Sequence, residues 1–191
     1  MPTYVVGPSD GPVQVVGATS GGSAAPIAAS GVQVITTASF TRPADTTAYA
    51  AQDVVSNSTT APTLLTFSSA ARANGGSGVI MTARHMKNSA TTTGATYRLH
   101  LYKVSSITAI NDNAQFTMLY ANRANRIGFI DFNHVSGGTG SDATGALTTF
   151  VNLPFVCDAA ASALYGILTV TSAYTPTSGE QHFIELAIAQ N

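Results

Sequence analysis

The feature that most constrains the fold is a period of two residues in the side chains of TYRLHLYKV at residues 96–104. The apolar side chains fall on one side of an extended chain: Tyr97, Leu99 and Leu101. The other side carries Arg98, His100 and Tyr102. A period of two residues is typical of a half-buried β-strand. The run therefore predicts a strand that turns one face to a core and presents the other as an outward row.

Other runs with strand character follow one another along the chain, separated by turn residues. They lie at residues 34–40, 64–67, 78–87, 127–132, 148–157, 163–172 and 182–189. The runs at 78–87 and 96–104 are separated by the loop SATTTGA and predict a hairpin. The segment 116–125 also permits a helical turn. Together the runs predict eight or nine strands.

Composition supports the same fold class. The chain is rich in Ala, Val, Thr, Ser and Gly, and only 9% of its 191 residues are charged. β-Branched residues suit a pleated sheet, while Gly and Ser suit turns. We therefore expect an all-β protein, a jelly-roll-like antiparallel β-sandwich over residues 35–191. A surface so poor in charge is suited to being covered by another chain.

Residues 1–34 differ from the rest, because glycines and prolines interrupt short apolar pairs. The pairs are too short to form a core, and the segment is less polar than a disordered linker usually is. We expect an extended N-terminal arm that becomes ordered on a neighbouring subunit. Its candidate interface residues are Val5, Val6, Val15 and Val16.

The charges are segregated along the chain. Residues 42–126 hold all eight basic residues against three acids, a net +5, and residues 127–191 hold five acids and no base, a net −5. Two halves that interleave and neutralise each other within one sandwich explain this, and this interpretation is favoured. Head-to-tail attraction between subunits is the alternative. The net charge of −1 gives no support for nucleic-acid binding.

No pattern indicates a metal, a cofactor or a membrane span. His85, His100, His134 and His182 are scattered without metal-ligand spacing. Cys157 is the single cysteine and lies in an apolar run, where it behaves as a small hydrophobe. No run of 18 apolar residues is present, and the N-terminal residues lack the features of a secretory signal. We expect synthesis in the cytoplasm.

Nothing in the sequence supports catalysis. Paired carboxylates are lacking, and GGTGSDATG at 137–145 has no phosphate-binding Gly-Lys-Ser/Thr ending, so it predicts a flexible loop. Asp131 is the one acid within a predicted strand, and a solvated edge or interface ion pair is its default role. A polysaccharide hydrolase that uses Asp131 and Asp142 stays a minor alternative.

The stretch FTRPADTTAYAAQDVVSNS at residues 40–58 concentrates charge in a chain that has little of it. Pro43 restrains Arg42 toward an extended conformation, so the first strand should end near residues 40–42. Asp45 can accept backbone hydrogen bonds in the turn and pair with Arg42, and Asp53 should precede a short strand at 54–55. We interpret Arg42 and Asp45 as turn formers and subunit contacts, and expect replacement of Asp45 to harm folding or assembly.

The chain resembles small virion structural proteins of tailed bacteriophages. A set of stretches carries the resemblance: the one just described together with LTFSSAARANGGSGVI, YRLHLY, ANRIGFIDF, LPFV and ALYGIL. The resemblance spans about residues 38–190. It implies a jelly-roll decoration or cement protein on the outer surface of the capsid, with the major capsid protein as partner. It implies a homo-oligomer, a trimer or a dimer, and no enzyme, nucleic acid, membrane or cofactor. No site residue carries over from the group.

The candidate interface residues from the residue patterns are therefore the four arm valines together with Arg42, Asp45, Arg98, His100 and Tyr102. A module of the tail, baseplate or fibre that has a structural or glycan-binding role is the alternative function.

Overall fold

The computed structural model describes residues 32–89, 96–136, 144–148 and 150–191. They form two antiparallel sheets packed as a sandwich, which confirms the predicted all-β class. One 3-10 turn, Tyr120–Asn122, lies where the sequence permitted a helical turn. Within the described ranges, no helix has the length and apolar character needed to cross a membrane.

The strands match most of the predicted runs. In chain order they are β1 (Val32–Thr41), β2 (Val54–Val55), β3 (Leu65–Phe67), β4 (Ser77–Lys87), β5 (Thr96–Tyr102), β6 (Arg126–Asn133), β7 (Val135–Ser136), β8 (Thr144–Thr148), β9 (Leu153–Val156), β10 (Leu164–Val170) and β11 (Gln181–Gln190).

The strand order is that of a jelly roll. The six-stranded sheet runs β1-β11-β4-β8-β7, with β9 also on β4, and the five-stranded sheet runs β2-β10-β5-β6, with β3 also on β10. The first long strand thus pairs with the last. The consecutive strands β4 and β5 lie in different sheets, and so do β10 and β11. Two sheets whose inner faces meet in this way enclose one core.

The predicted hairpin between the runs at 78–87 and 96–104 is wrong. β4 pairs with β11, β8 and β9, whereas β5 pairs with β10 and β6, so the chain between them crosses from one sheet to the other. Period-two patterning reports which face of a strand is buried. It does not report which strand lies beside it.

The predicted strand at 148–157 is divided in the structure. β8 ends at Thr148 and β9 begins at Leu153. Between them Phe150 (φ 57°) and Asn152 (φ 45°) lie in the left-handed region, which breaks an extended chain. The loop predicted at 137–145 is also corrected at its end, because Thr144 and Gly145 open β8. Residues 137–143 lie outside the described residues.

The first strand of the sandwich begins at Val32, three residues before the predicted start of the sandwich at residue 35. Residues 32–34, which the sequence assigned to the arm, pair with β11 through the register Val32↔Gln190 to Val34↔Ile188. The rest of the arm, with its four candidate valines, lies outside the described residues.

The core fills the space between the sheets. Its largest fully buried side chains are aromatic or branched, with one exception, Lys87, and include Tyr97, Phe67, Phe132, Leu99 and Leu186. Cys157 is buried in the same cluster, as the sequence predicted. A smaller cluster lies on the outer side of the five-stranded sheet, where the segment after β5 covers it: Val54, Tyr102, Ile107 and Ile167.

Candidate functional site

The charged stretch at residues 40–58 folds into a buried ion-pair cluster, which we call the Arg42 cluster: Arg42, Asp45, Tyr49 and Asp112. Arg42 Nε donates to the Tyr49 hydroxyl (2.9 Å), and that hydroxyl donates to Asp112 Oδ1 (2.7 Å). Arg42 Nη2 lies 3.1 Å from Asp45 Oδ1 and 3.3 Å from Asp112 Oδ2. Asp112 also accepts from the backbone N–H of Ser56 (2.9 Å). Every described polar atom of this carboxylate therefore has a partner.

The cluster confirms part of the sequence interpretation and corrects the rest. Asp45 pairs with Arg42 and accepts the backbone N–H of Thr47 (2.9 Å), and β1 ends at Thr41, as predicted. The Arg42 side chain, however, is 0% exposed, so it is not a surface contact of the described chain. Asp112, for which no sequence pattern predicts a role, is the carboxylate that compensates this buried charge.

A second set of polar side chains crosses the core at the same end of the sandwich. We call it the buried polar chain: Thr144, His134, His85, His182, Glu180, Tyr174 and Lys87. His134 Nε2 lies 2.8 Å from His85 Nδ1, and His85 Nε2 lies 3.0 Å from His182 Nδ1. The two sets meet through the backbone, since the N–H of Arg42 donates to the carbonyl of Glu180 (3.0 Å).

The acidic end of the buried polar chain is a compact group around Glu180. The Tyr174 hydroxyl donates to Glu180 Oε2 (2.5 Å), and Lys87 Nζ donates to the same hydroxyl and lies 3.4 Å from Oε2. Lys87 and Glu180 have 0% side-chain exposure. Burial lowers the pKa of Lys87, and Glu180 opposes that shift. A buried charge pair of this kind is held by its hydrogen bonds as much as by attraction.

Hydrogen-bond capacity links the tautomers of the three histidines, because one ring nitrogen of a neutral imidazole donates and the other accepts. If His85 Nε2 donates to His182 Nδ1, then His85 Nδ1 accepts from His134 Nε2, and His134 Nδ1 accepts from the Thr144 hydroxyl (2.9 Å). The opposite tautomers reverse all three bonds. His182 Nε2 lies 3.4 Å from Glu180 Oε1, and neither atom has a hydrogen-bond partner among the described residues. Neutral imidazoles complete the bonds between the rings in either direction.

Burial enforces that neutral state. It lowers the pKa of His85 and of His182 well below the ordinary value, and neighbouring charged and imidazole groups add to the effect. It lowers the pKa of His134 to about 4, with Lys87 contributing. Desolvation penalises the charged form of an imidazole, and a nearby cation does so further.

The geometry suits a structural polar core better than a metal centre or an active site. The histidines form a line in which His85 uses one ring nitrogen for each neighbour, so their nitrogens do not converge on one point. Among the described residues, no group of three or more His, Cys, Asp or Glu side chains is placed to hold a metal ion. The side chains of His182 and Glu180 are 0% exposed, which leaves them without contact to solvent.

Sequence reasoning missed this histidine cluster, although a signal was present. His182 has the same parity as Ile184, Leu186 and Ile188 in β11, and these residues face the core. In β4, His85 and Lys87 have the parity of the buried Ala83. Strand parity therefore placed two histidines and a lysine inside the sandwich, and a buried lysine requires an acidic partner.

The outward row predicted from β5 is largely covered. His100 and Tyr102 are buried, because the segment after β5 folds over them and the His100 ring stacks on Phe116 with centroids 4.0 Å apart. Burial lowers the pKa of His100 to about 4, and Arg126 and Arg98 contribute. The prediction of a surface row is thus wrong at these two positions, since alternation cannot detect a covering loop.

Arg98, by contrast, is partly exposed and makes a bidentate ion pair with Asp131 on the neighbouring strand β6. Its Nε lies 2.6 Å from Asp131 Oδ1 and its Nη2 lies 2.8 Å from Oδ2. Asp131 sits on the edge strand β6, so its predicted role in an edge ion pair is confirmed. Asp142, the other carboxylate weighed for hydrolysis, lies outside the described residues.

The outer face of the six-stranded sheet carries several exposed large apolar side chains. Its exposed large side chains come from four strands and from the bulge in β4: Ile35 (60%), Met81 (40%), Met86 (38%), Leu147 (63%) and Val156 (59%). One ion pair, Arg84–Glu185, crosses it at 2.8 Å. Phe150, 86% exposed, lies beside it, because the neighbouring Val151 N–H donates to the Met81 carbonyl. A group of exposed large apolar side chains on one sheet face is a candidate interaction site.

Neither the known protein-family models nor the curated proteins contain a match to this chain.

Proposed function

We propose that this chain is a non-enzymatic structural protein of a phage particle that coats the outer surface of the capsid and stabilises the head. The observation that supports it best is the outer face of the six-stranded sheet, which presents apolar side chains from β1, β4, β8 and β9. A decoration protein needs one such docking face on a rigid domain. The proposed partner is the major capsid protein, and the proposed location is the capsid surface.

The rest of the molecule is compatible with that role. The sandwich is built around packed apolar residues and buried ion pairs, and Cys157 is a free thiol, so folding needs no disulfide. Docking many copies on a symmetric shell makes a modest contact per copy collectively strong. A sparsely charged face adds little desolvation cost to each contact.

A single exposed residue tests the docking face. Leu147→Lys places a charge on the apolar face, next to Arg84 in the register of β4 and β8. We expect unchanged folding and at least a tenfold loss of binding to capsids that lack the protein, since about 1.4 kcal/mol is a factor of ten in affinity. Binding is measured by co-sedimentation of the purified protein with such capsids.

The matched control is Tyr120→Lys, which also replaces a highly exposed apolar residue, but in the 3-10 turn. It should bind as the parent does. Equal binding by the parent and by Leu147→Lys would show that this face does not dock on the shell.

A further inference from the structure

The free edge of β1 is unusual for a natural sheet. Among the described strands, β1 ends the strand order of the six-stranded sheet, and its ladder runs to β11 alone. Its ten residues, VQVITTASFT, include no charge, no proline and no glycine. Natural edge strands are normally protected by charges, prolines, bulges or short length, because an open edge pairs with other chains. β1 has none of these protections.

The other described edges are protected. β2 has two residues, β3 has three, and β7 has two. β6 is longer, but it carries Arg126 and Asp131, and its ladder with β5 contains a register shift at Leu101/Tyr102. Only β1 thus combines length with an unprotected edge among the described strands.

A groove opens beside this edge, between β1 and the strands β2 and β3 of the other sheet. It has a volume of about 350 Å³ and lies along residues 37–40 of β1. Its apolar lining includes Ala38, Phe40, Val55, Leu65 and Leu168. Nearer the start of β1 the sheets are tied together, since the Thr36 hydroxyl donates to the Ser68 carbonyl (2.8 Å). An extra strand on β1 would cover the groove and could place side chains into it.

The arm contains a second copy of the sequence that begins β1. Residues 13–16 read VQVV, and residues 32–35 read VQVI. In the fold, the second of these pairs with β11 through four consecutive residues. The first segment therefore closely matches the sequence of a segment that pairs with β11 as part of the edge strand of this sheet.

We propose that residues 13–16 of one copy add as a further strand to the free edge of β1 in a neighbouring copy. An added strand satisfies backbone N–H and C=O groups that alternate residues of an edge strand point outward. With period two, Val13 and Val15 face the groove, while Gln14 and Val16 lie on the outer side. Each copy gives one segment and receives one, so every β1 edge in the assembly gains a partner strand along part of its length.

The linker is long enough for this exchange. Residues 17–31 contain four glycines, and a flexible linker of this length has a root-mean-square span of about 20 Å and a maximum of about 50 Å. A domain of this size has a radius of gyration of about 15 Å. The same reach permits pairing within one copy. Assignment to a neighbour rests on the proposed function, in which copies contact one another.

Cysteine pairing in the full-length chain tests the proposal. In a Cys157→Ala background, Gln14→Cys is combined with Thr37→Cys or with Ser39→Cys, which share the outer side of β1 and sample the register. The double variants are mixed with ¹⁵N-labelled copies, oxidised mildly and analysed by mass spectrometry. We expect disulfides that join labelled to unlabelled chains for at least one pair. Gln14→Cys with the exposed Ala124→Cys, away from β1, is the matched control.

Two results would overturn the proposal. Disulfides found only within one chain would mean that the arm folds on its own copy, and cross-linking no higher than in the Ala124→Cys control would mean that the arm does not reach β1. A low copy number per particle would count against the capsid role and leave the cross-linking result unaffected. Val15→Pro, which removes a backbone donor and leaves the sandwich sequence intact, should reduce cross-linking severalfold.

Discussion

At the scale of single residues, the sandwich depends on buried charged groups that are paired with groups of opposite charge. Arg42, Lys87 and Glu180 have 0% side-chain exposure, and each has at least one partner of opposite charge. A buried ion is tolerated only when its partners remove the cost of leaving water. These residues should therefore be sensitive to changes that leave one partner behind.

The Arg42 cluster predicts a large difference between its two acids. Asp112→Ala leaves the Arg42 guanidinium without its buried partner and leaves the Ser56 N–H without an acceptor, so we expect a loss of about 3–5 kcal/mol in the free energy of unfolding. Asp45→Ala removes a carboxylate that is 37% exposed and should cost about 1 kcal/mol or less. Urea denaturation of both variants measures this. Equal losses would contradict the assignment of Asp112 as the main partner.

The three imidazoles of the buried polar chain predict acid sensitivity. Their pKa values in the folded protein lie below the ordinary value near 6.5, and that of His134 is lowered to about 4. Between these values the unfolded chain binds more protons than the folded chain, so the free energy of unfolding falls as the pH falls from about 6.5 through about 4. Above about pH 6.5 these groups contribute their full stability.

His134→Gln tests that assignment, because glutamine keeps a donor and an acceptor but does not titrate. Denaturation at a series of pH values should give a shallower acid decline than in the parent. A free energy of unfolding that is the same at about pH 7 and about pH 5 would show that the imidazoles do not control acid stability.

At the scale of strands, alternation located most elements but did not identify their partners. β5 and β11 follow directly from period-two runs, whereas the expected β4–β5 hairpin is absent because the two strands lie in different sheets. Local sequence reports the buried face of a strand, while pairing depends on the whole arrangement. The left-handed conformation of Phe150 could not be predicted, because phenylalanine rarely adopts it, whereas Asn152 is a residue type that tolerates this region.

Close packing between strands gives a prediction at the same scale. A Cβ at Gly78 would lie 2.8 Å from the Ala189 carbonyl oxygen and 2.9 Å from the Phe155 ring, so Gly78→Ala should cost about 1–3 kcal/mol. At Gly145 the nearest atom is the Met86 Cγ at 3.4 Å, so Gly145→Ala serves as the control and should be close to neutral. Thermal or urea denaturation compares them. Equal stability of the two variants would contradict the packing at β4 and β11.

At the scale of the whole molecule, the two oppositely charged halves of the sequence neutralise each other within one sandwich. Among the described residues, three ion pairs join them: Arg84–Glu185, Lys87–Glu180 and Arg98–Asp131. This supports the interleaved interpretation of the charge pattern. What composition predicted correctly was an all-β domain with little surface charge. The burial of particular residues, such as Arg42 and His100, could not be predicted. It depends on segments that cover them, and no local sequence pattern indicates such a segment.

The whole-molecule arrangement leaves an apolar outer face, an unprotected β1 edge and an N-terminal arm, and together they favour a protein that acts in many copies. The central claim is that those copies coat a capsid. Quantified staining of purified virions against the major capsid protein tests it most directly. We predict on the order of hundreds of copies per particle, as lattice docking requires. A handful to a few dozen copies would contradict the account and place the protein in the tail.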